Sequence, residues 1–184
     1  MEIVTARLLL REFRLDDEAE VHAFAADPQV TRHTAWGPLT PSETAAEVRA
    51  SVAAASVRPR IRYGLAVTDR ATGAVAGSIE LRVVSDRHRR ATLDFAFGRP
   101  AWGRGYATEA AHALVGYGFA TLDLRKVTAT CSPDNLGSHR VLTKIGMRQE
   151  GYLHDHILVR DTWQDRLLFG LVSPDAATAL DQAG

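Results

Sequence analysis

The sequence predicts an α+β fold: a mixed, mostly antiparallel twisted sheet flanked by helices. Three observations carry that prediction. Strand-like and helix-like runs are intermingled along the whole chain. Short polar turns join successive strands in the front half, as antiparallel neighbours require. Behind them, an apolar strand, a long helical run and a β-branched strand follow in order, the pattern of a parallel crossover.

The elements justify themselves in order. Leu8 to Phe13 reads as a first strand. Asp16 is the expected N-cap of the next helix, whose buried stripe is Val21, Phe24 and Ala25 at helical spacing. Asp27-Pro28 stops it. After a loop with Trp36-Gly37-Pro38, Pro41-Ser42-Glu43 opens an alanine-rich helix to about Ser56. Tyr63 to Thr68 alternates as a strand, and residues 69–73 form a turn. Val75 to Val84 and Arg90 to Phe97 are two further strands around a polar hairpin loop. A helix from Tyr106 to about Leu122 presents Ala107, Ala110, Ala111, Leu114 and Phe119 toward the sheet. Lys126 to Ser132 is a strand, and Asn135 to Ile145 is a helix stopped by Gly146. Tyr152 to Val159 and Arg166 to Val172 close the chain as a hairpin.

Composition narrows the classes. The 184 residues suit one domain spanning 1–184, with a core of about 5–172 and a tail, 174–184, that is expected to fray. The 22 basic and 22 acidic residues balance, which argues against a broad nucleic-acid-binding surface. The single cysteine, Cys131, allows no intrachain disulfide and suits a reducing compartment. No signal-peptide pattern opens the chain, and no apolar run approaches the ~18 residues of a membrane span. A cytoplasmic protein without membrane contact is expected, and a homodimer is left open.

Residues 98–110, GRPAWGRGYATEA, carry most of the chemistry. A Gly-x-Gly turn after a strand feeds directly into a helix. Glycines let the backbone approach a ligand, and the first helical turn offers unpaired N–H groups in a positive dipole field. Arg104 adds a full charge and Thr108 a hydroxyl. The turn reads as a pyrophosphate cradle, against the simpler reading of a tight strand-to-helix turn. It matches neither the Gly-x-Gly-x-x-Gly fingerprint nor a Walker loop.

Trp102-Gly103-Arg104-Gly105-Tyr106-Ala107-Thr108-Glu109-Ala110 together with Asn135-Leu136-Gly137-Ser138-His139-Arg140-Val141-Leu142-Thr143-Lys144-Ile145-Gly146-Met147 resemble the GNAT superfamily of N-acetyltransferases. Residues 5–11, 150–152 and 163–165 resemble its RimJ/RimL-type branch, which acetylates ribosomal-protein N-termini. The resemblance implies the GNAT acyl-CoA N-acyltransferase fold, acetyl-CoA as acyl donor, and a strand pair that splays near Phe97 and Cys131. The pantetheine arm enters that gap by strand addition. The implied cofactor contacts are Phe97, Gly103, Arg104, Gly105, Tyr106, Ala107, Thr108, Asn135 and Ser138. Pro100 stands where the family usually has Gln or Arg, so one side-chain contact is lost.

Asn135 and Ser138 also satisfy plain helix capping. The resemblance puts Ser138 near the sulfur, where it can act as general acid. The general base is less evident. Ile157 occupies the position where the branch suggests a carboxylate. Asp155 lies two residues away on the same face by plain alternation, with His154 and His156 on the other. Glu80 and Asp94, carboxylates within predicted central strands, are the remaining candidates, and Glu80 is placed first. Trp36 either lines the acceptor pocket or packs as a loop aromatic. Cys131 reads as a buried strand residue, not a nucleophile, and the seven histidines show no metal-ligand spacing.

The expected reaction is direct acetyl transfer to a primary amine, most simply a protein or peptide N-terminus. An α-amine titrates near ~7.7–8.0 and a lysine near ~10.4, so a site without a strong base favours the α-amine by about 3 kcal/mol. The alternatives are a small-molecule amine such as an antibiotic or polyamine, a larger acyl group such as succinyl, and a CoA-binding protein without catalysis.

Overall fold

The computed structural model describes residues 1–174. The tail expected to fray, except for Pro174, lies outside the described residues. Eight strands run β1 (Glu2–Val4), β2 (Leu8–Arg11), β3 (Arg62–Asp69), β4 (Val75–Ser85), β5 (Arg90–Phe97), β6 (Lys126–Cys131), β7 (Arg148–Val159) and β8 (Thr162–Val172). Four helices are α1 (Glu18–Ala25), α2 (Pro41–Ser56), α3 (Tyr106–Ala120) and α4 (Leu136–Lys144). The strands form one sheet in the order β1-β2-β3-β4-β5-β6-β8-β7. β5 and β6 pair in parallel, and the neighbours on either side pair antiparallel. The α+β, mostly antiparallel sheet flanked by helices is as the sequence predicted.

Local chemistry explains the helix ends. Thr40 and Glu43 form a reciprocal capping box at the start of α2, with Pro41 at its first position. Asn135 caps α4 by accepting the Ser138 N–H at 3.0 Å. Gly146, at φ 92, follows α4 and ends it. In α3, Gly118 lies against Leu81 and Leu124, where an added Cβ would stand 2.8 and 3.0 Å from side-chain carbons. A glycine is needed there to bring the helix down onto the sheet.

Several boundaries differ from expectation. An additional strand, β1, pairs with β2. Asp17, not Asp16, is the residue before α1, and its carboxylate serves Arg11 instead of the helix N–H groups. The terminal hairpin is longer, with a two-residue turn at Arg160 and Asp161, both in left-handed conformation. β7 also carries a bulge, described below.

The two faces of the sheet bury different things. One packs α3 and α4 over Leu8, Leu10, Leu65, Val67, Ile79, Leu81, Leu93, Val127 and Phe169. Each such side chain contributes about 1.5–3 kcal/mol when fully buried. The other face meets α1 and α2 through Val21, Phe24, Ala25, Val48 and Ala96. On this second face the polar residues Glu80, Arg82, Thr92 and Asp94 gather, because cross-strand partners share a face: Glu80 is opposite Asp94 and Arg82 opposite Thr92.

A buried ion pair fixes α1 to the sheet. Arg11 donates to both Asp17 oxygens at 2.8 and 2.7 Å, and the Arg14 N–H adds a third bond at 2.8 Å. Burial opposes the Asp17 charge, but the Arg11 and Arg14 hydrogen bonds reverse that, so its pKa lies below the ordinary value of 3.8. Asp17→Asn strands the Arg11 charge and is expected to cost about 3–5 kcal/mol in urea unfolding at neutral pH. A depressed carboxylate contributes above its unfolded pKa and loses that contribution as pH falls through the folded one. The gap between wild type and Asp17→Asn should therefore close as pH drops below 3.8, and a gap that persists in acid would remove the ion pair as its cause.

Candidate active site

The site begins where two strands part. β5 and β6 pair only at Arg90–Lys126, Ala91–Val127 and Thr92–Thr128. β5 then continues against β4 as far as Phe97, and β6 against β8 as far as Cys131. The inner edges diverge into a cleft of about 230 Å³ lined by Arg82, Thr92, Asp94, Thr128, Thr130 and His156, among others. Phe97 and Cys131 end the two arms, as the resemblance implied.

The chain leaves β5 through a short 3-10 turn, Arg99–Ala101, which holds Pro100. The Trp102 indole N–H donates to the Phe97 carbonyl at 2.7 Å and clips the turn to the strand end. Gly103 and Gly105 follow with φ of 73 and 78, left-handed conformations that glycine adopts at little cost. The first bond of α3 runs from the Glu109 N–H to the Gly105 carbonyl at 3.0 Å. The N–H groups of Tyr106, Ala107 and Thr108 precede it and point out of the helix end.

Contacts from outside hold this loop. Glu109 accepts from the Thr5 hydroxyl at 2.6 Å and from the Arg7 N–H and Nε at 2.8 and 2.7 Å. Arg7 Nη1 reaches the Arg104 carbonyl at 2.7 Å. The Tyr106 hydroxyl donates to Asp69 at 2.6 Å, and this bond, helped by the Ala71 N–H and by Arg104, holds the Asp69 pKa down. Arg104 itself lies over the Tyr106 ring, 4.3 Å from its centre, and 3.4 Å from Asp69. Beside the loop is a groove of about 430 Å³ that includes Thr5, Arg7, Thr108, His112 and Lys144. The sequence singled out neither His112 nor Lys144 as contacts.

Asn135 and Ser138 lie at the start of α4, just beyond β6, and both are partly buried. The Asn135 cap uses its carbonyl oxygen and leaves the NH₂ for another acceptor. Cys131 is buried, and burial pushes its thiol pKa up, with Arg166 opposing, so the nucleophilic thiolate is disfavoured.

The two carboxylates differ in their surroundings. Glu80 Oε2 accepts from Arg62 at 3.0 and 2.8 Å, and Oε1 lies 3.4 Å from Arg82 Nε. Its oxygens are already engaged. Asp94 has, among the described residues, only Arg82 as an ion-pair partner, at 3.9 Å, and remains 61% exposed at the cleft. The protein mass crowding the cleft raises its pKa, against Arg82 and with Glu80, even though water still reaches the carboxyl.

The β7 bulge changes the rest. Leu153 pairs with Arg166 and Ile157 with Gln164, so three residues of β7 face the single residue Asp165. The Asp165 carboxylate accepts from the Asp155 N–H at 2.9 Å and from the Tyr152 hydroxyl at 2.7 Å. That bond, more than burial, raises the Tyr152 pKa. Plain alternation put His154 and His156 together as outlying residues. The bulge separates them: His154 Nδ1 is 3.6 Å from Asp165, while His156 lines the cleft. Nothing in the sequence pattern announced the two extra residues.

Trp36 is 39% exposed in the connection between α1 and α2. That connection is tied to the β7–β8 turn, where Arg160 Nη2 reaches the Thr31 and Gly37 carbonyls at 3.0 and 2.7 Å. Among the described residues, no cluster of three or more His, Cys, Asp or Glu side chains is placed to hold a metal ion, and no helix is long and apolar enough to cross a membrane.

Known proteins share this arrangement. The chain is 30% identical to YnaD of Bacillus subtilis (strain 168), an uncharacterized N-acetyltransferase, over 95% of this chain and 99% of that one. The crystal structure of an acetyltransferase of the GNAT family from Bacillus anthracis superposes with a TM-score of 0.85 at 29% identity, covering 94% of this chain and 99% of the other. A shorter stretch, 45% of this chain and 43% of the relative, is 31% identical to the [ribosomal protein uS5]-alanine N-acetyltransferase of Escherichia coli (strain K12). The family described as the acetyltransferase (GNAT) domain matches residues 7–148, and with the splayed strand pair and the glycine loop on α3 in place, the chain belongs to the GNAT N-acetyltransferases.

Proposed function

We propose that this acetyltransferase takes its acetyl group from acetyl-CoA and passes it directly to an α-amine, in the manner of the RimJ/RimL-type branch. The observation that carries the reading is the cleft itself. Its inner strand edges stop pairing at Thr92 and Thr128, and the two arms run on into the glycine loop before α3 and into the capped start of α4. These features fit a long thioester with a pyrophosphate at one end. When bound, acetyl-CoA supplies an activated acyl carbon and a thiolate leaving group.

The chain's own residues divide the remaining work. The N–H groups from Gly103 to Thr108, with Arg104, hold the pyrophosphate, and the Asn135 NH₂ holds a carbonyl of the pantetheine arm. Backbone atoms up to Phe97 take the arm as an added strand. Asp94 receives the proton that the amine sheds, directly or through water, while Glu80 anchors Arg62 and Arg82. The engagement of Glu80 by Arg62 and Arg82 supports Asp94 over Glu80 as the base. Ser138 gives a proton to the departing sulfur. The buried Cys131 takes no part, which favours direct transfer over an acyl-cysteine.

For the acceptor, the partial likeness to a ribosomal-protein alanine acetyltransferase supports an N-terminal α-amine. A polycationic amine is disfavoured, because Arg82 lies in the cleft beside Asp94, and Glu80 is already engaged by Arg62 and Arg82.

Three measurements test this reading. Gly105 needs φ 78, and an added Cβ would also stand 3.4 Å from Arg7 Nη2. Gly105→Val should therefore weaken CoA binding at least about tenfold in calorimetry (~1.4 kcal/mol); unchanged affinity in a folded variant would remove the loop from the site. Asp94→Asn should lower turnover by about 10²–10⁴-fold at neutral pH. The deficit should shrink as pH rises past ~8, where an α-amine arrives already neutral, and a deficit constant with pH would exclude Asp94 as base. Peptides with free N-termini should be acetylated and N-terminally blocked ones with lysine should not, read by CoA release and mass spectrometry; equal rates would reject the α-amine.

A further inference from the structure

Arg166 is a buried cation with no counter-charge among the described residues. Its side chain is in the interior at 4% exposure, yet its Nη1 has no hydrogen-bond partner, and its Nη2 makes only a long 3.4 Å contact to the His33 carbonyl. Among the described residues, no carboxylate oxygen lies within 4.0 Å of it. Burial pulls its pKa down, as expected for a guanidinium without an anion. An uncompensated buried charge is costly, and the fold gains little in return. The connection between α1 and α2 is already held by the shorter bonds from Arg160 to Thr31 and Gly37.

Its backbone lies beside the open end of the cleft. Leu168 pairs with Thr130, and Thr130 lines the cleft. Arg166 is two residues along the same strand and on the same face, about 7 Å further on. It lies beyond the last β6–β8 pair, Cys131–Leu167, where the splayed strands are farthest apart. Its β7 partner is Leu153, immediately before the bulge that delivers His156 to the cleft. The carbonyl it touches belongs to the loop that carries Trp36.

We propose that Arg166 receives a carboxylate of the acceptor, so that among α-amines the preferred substrate carries a carboxylate close to its amine, as a free amino acid or an acidic N-terminal residue does. This specificity rests on the acyl-transfer reading above and narrows its acceptor class. The planar guanidinium suits a carboxylate bidentately, and desolvation strengthens the pair. Arg166 thus positions the acceptor and takes no part in proton transfer.

The test uses thermal unfolding and kinetics on wild type and Arg166→Met, with propionate as probe and propionamide as its neutral counterpart. Propionate should raise the wild-type Tm and propionamide should not, and Arg166→Met should lose the difference. Without ligand, Arg166→Met should be as stable as wild type or more so, because it removes an unpaired buried charge of similar length. Glycine should exceed glycinamide in kcat/KM for wild type, and that preference should fall at least about tenfold in Arg166→Met (~1.4 kcal/mol). Equal responses to the two probes in wild type, or a marked fall in Tm of the unliganded variant, would overturn the proposal and make Arg166 a structural residue. CoA is added in a separate arm: if it fails to stabilise wild type, the acyl-transfer reading falls, while the propionate arm still decides on Arg166.

Discussion

The separation of β5 from β6 is the constraint on which the rest depends. Each strand keeps a full ladder on its outer side, β5 with β4 and β6 with β8. Each gives up its inner partner after three residues. Backbone N–H and C=O groups left without partners inside a sheet are costly, and they demand either water or an incoming strand-like ligand. The fold can hold this opening because neither strand relies on the other for register. The helices α3 and α4 that follow the two arms then start at the cleft instead of crossing it.

Support for the cleft comes from residues remote in sequence. The glycine loop has little internal bonding, and its shape is set by Thr5, Arg7, Asp69 and Glu109. These reach it from the β1–β2 connection, the end of β3 and the first turn of α3. A loop pinned at its carbonyls and side chains leaves its N–H groups for a ligand. That division of labour is efficient for binding an anion: the ordering cost falls on folding, not on association.

Charge at the cleft is likewise arranged by the sheet. Antiparallel register brings Glu80, Arg82, Asp94 and Thr92 onto one face, and Arg62 joins from β3 opposite Arg82. Two neighbouring carboxylates then acquire different surroundings. Glu80 is saturated by guanidiniums, and Asp94 faces the opening with its proton affinity raised. The difference comes from position on the sheet, since the residue types alone are nearly equivalent.

The sequence by itself determined the elements and pointed to the glycine loop before α3. Periodicity and capping residues located α2, α3 and α4 closely, because those signals are local: Thr40 with Glu43, the glycines before Tyr106, Asn135 and Gly146 each act within a few residues. The glycine loop and the family motifs are contiguous, so they too were legible. Only the tertiary structure decided which charged residues stand at the cleft and what surrounds them. The choice between Glu80 and Asp94 depends on which arginines arrive from β3 and β4. His156 enters the cleft because a bulge opposite Asp165 breaks the alternation on which a strand reading relies. Arg166 looked like one charged residue in an apolar terminal strand, and its lack of a counter-ion is a property of everything packed around it. Charge pairing and register are long-range, and a single sequence records them only after the chain has folded.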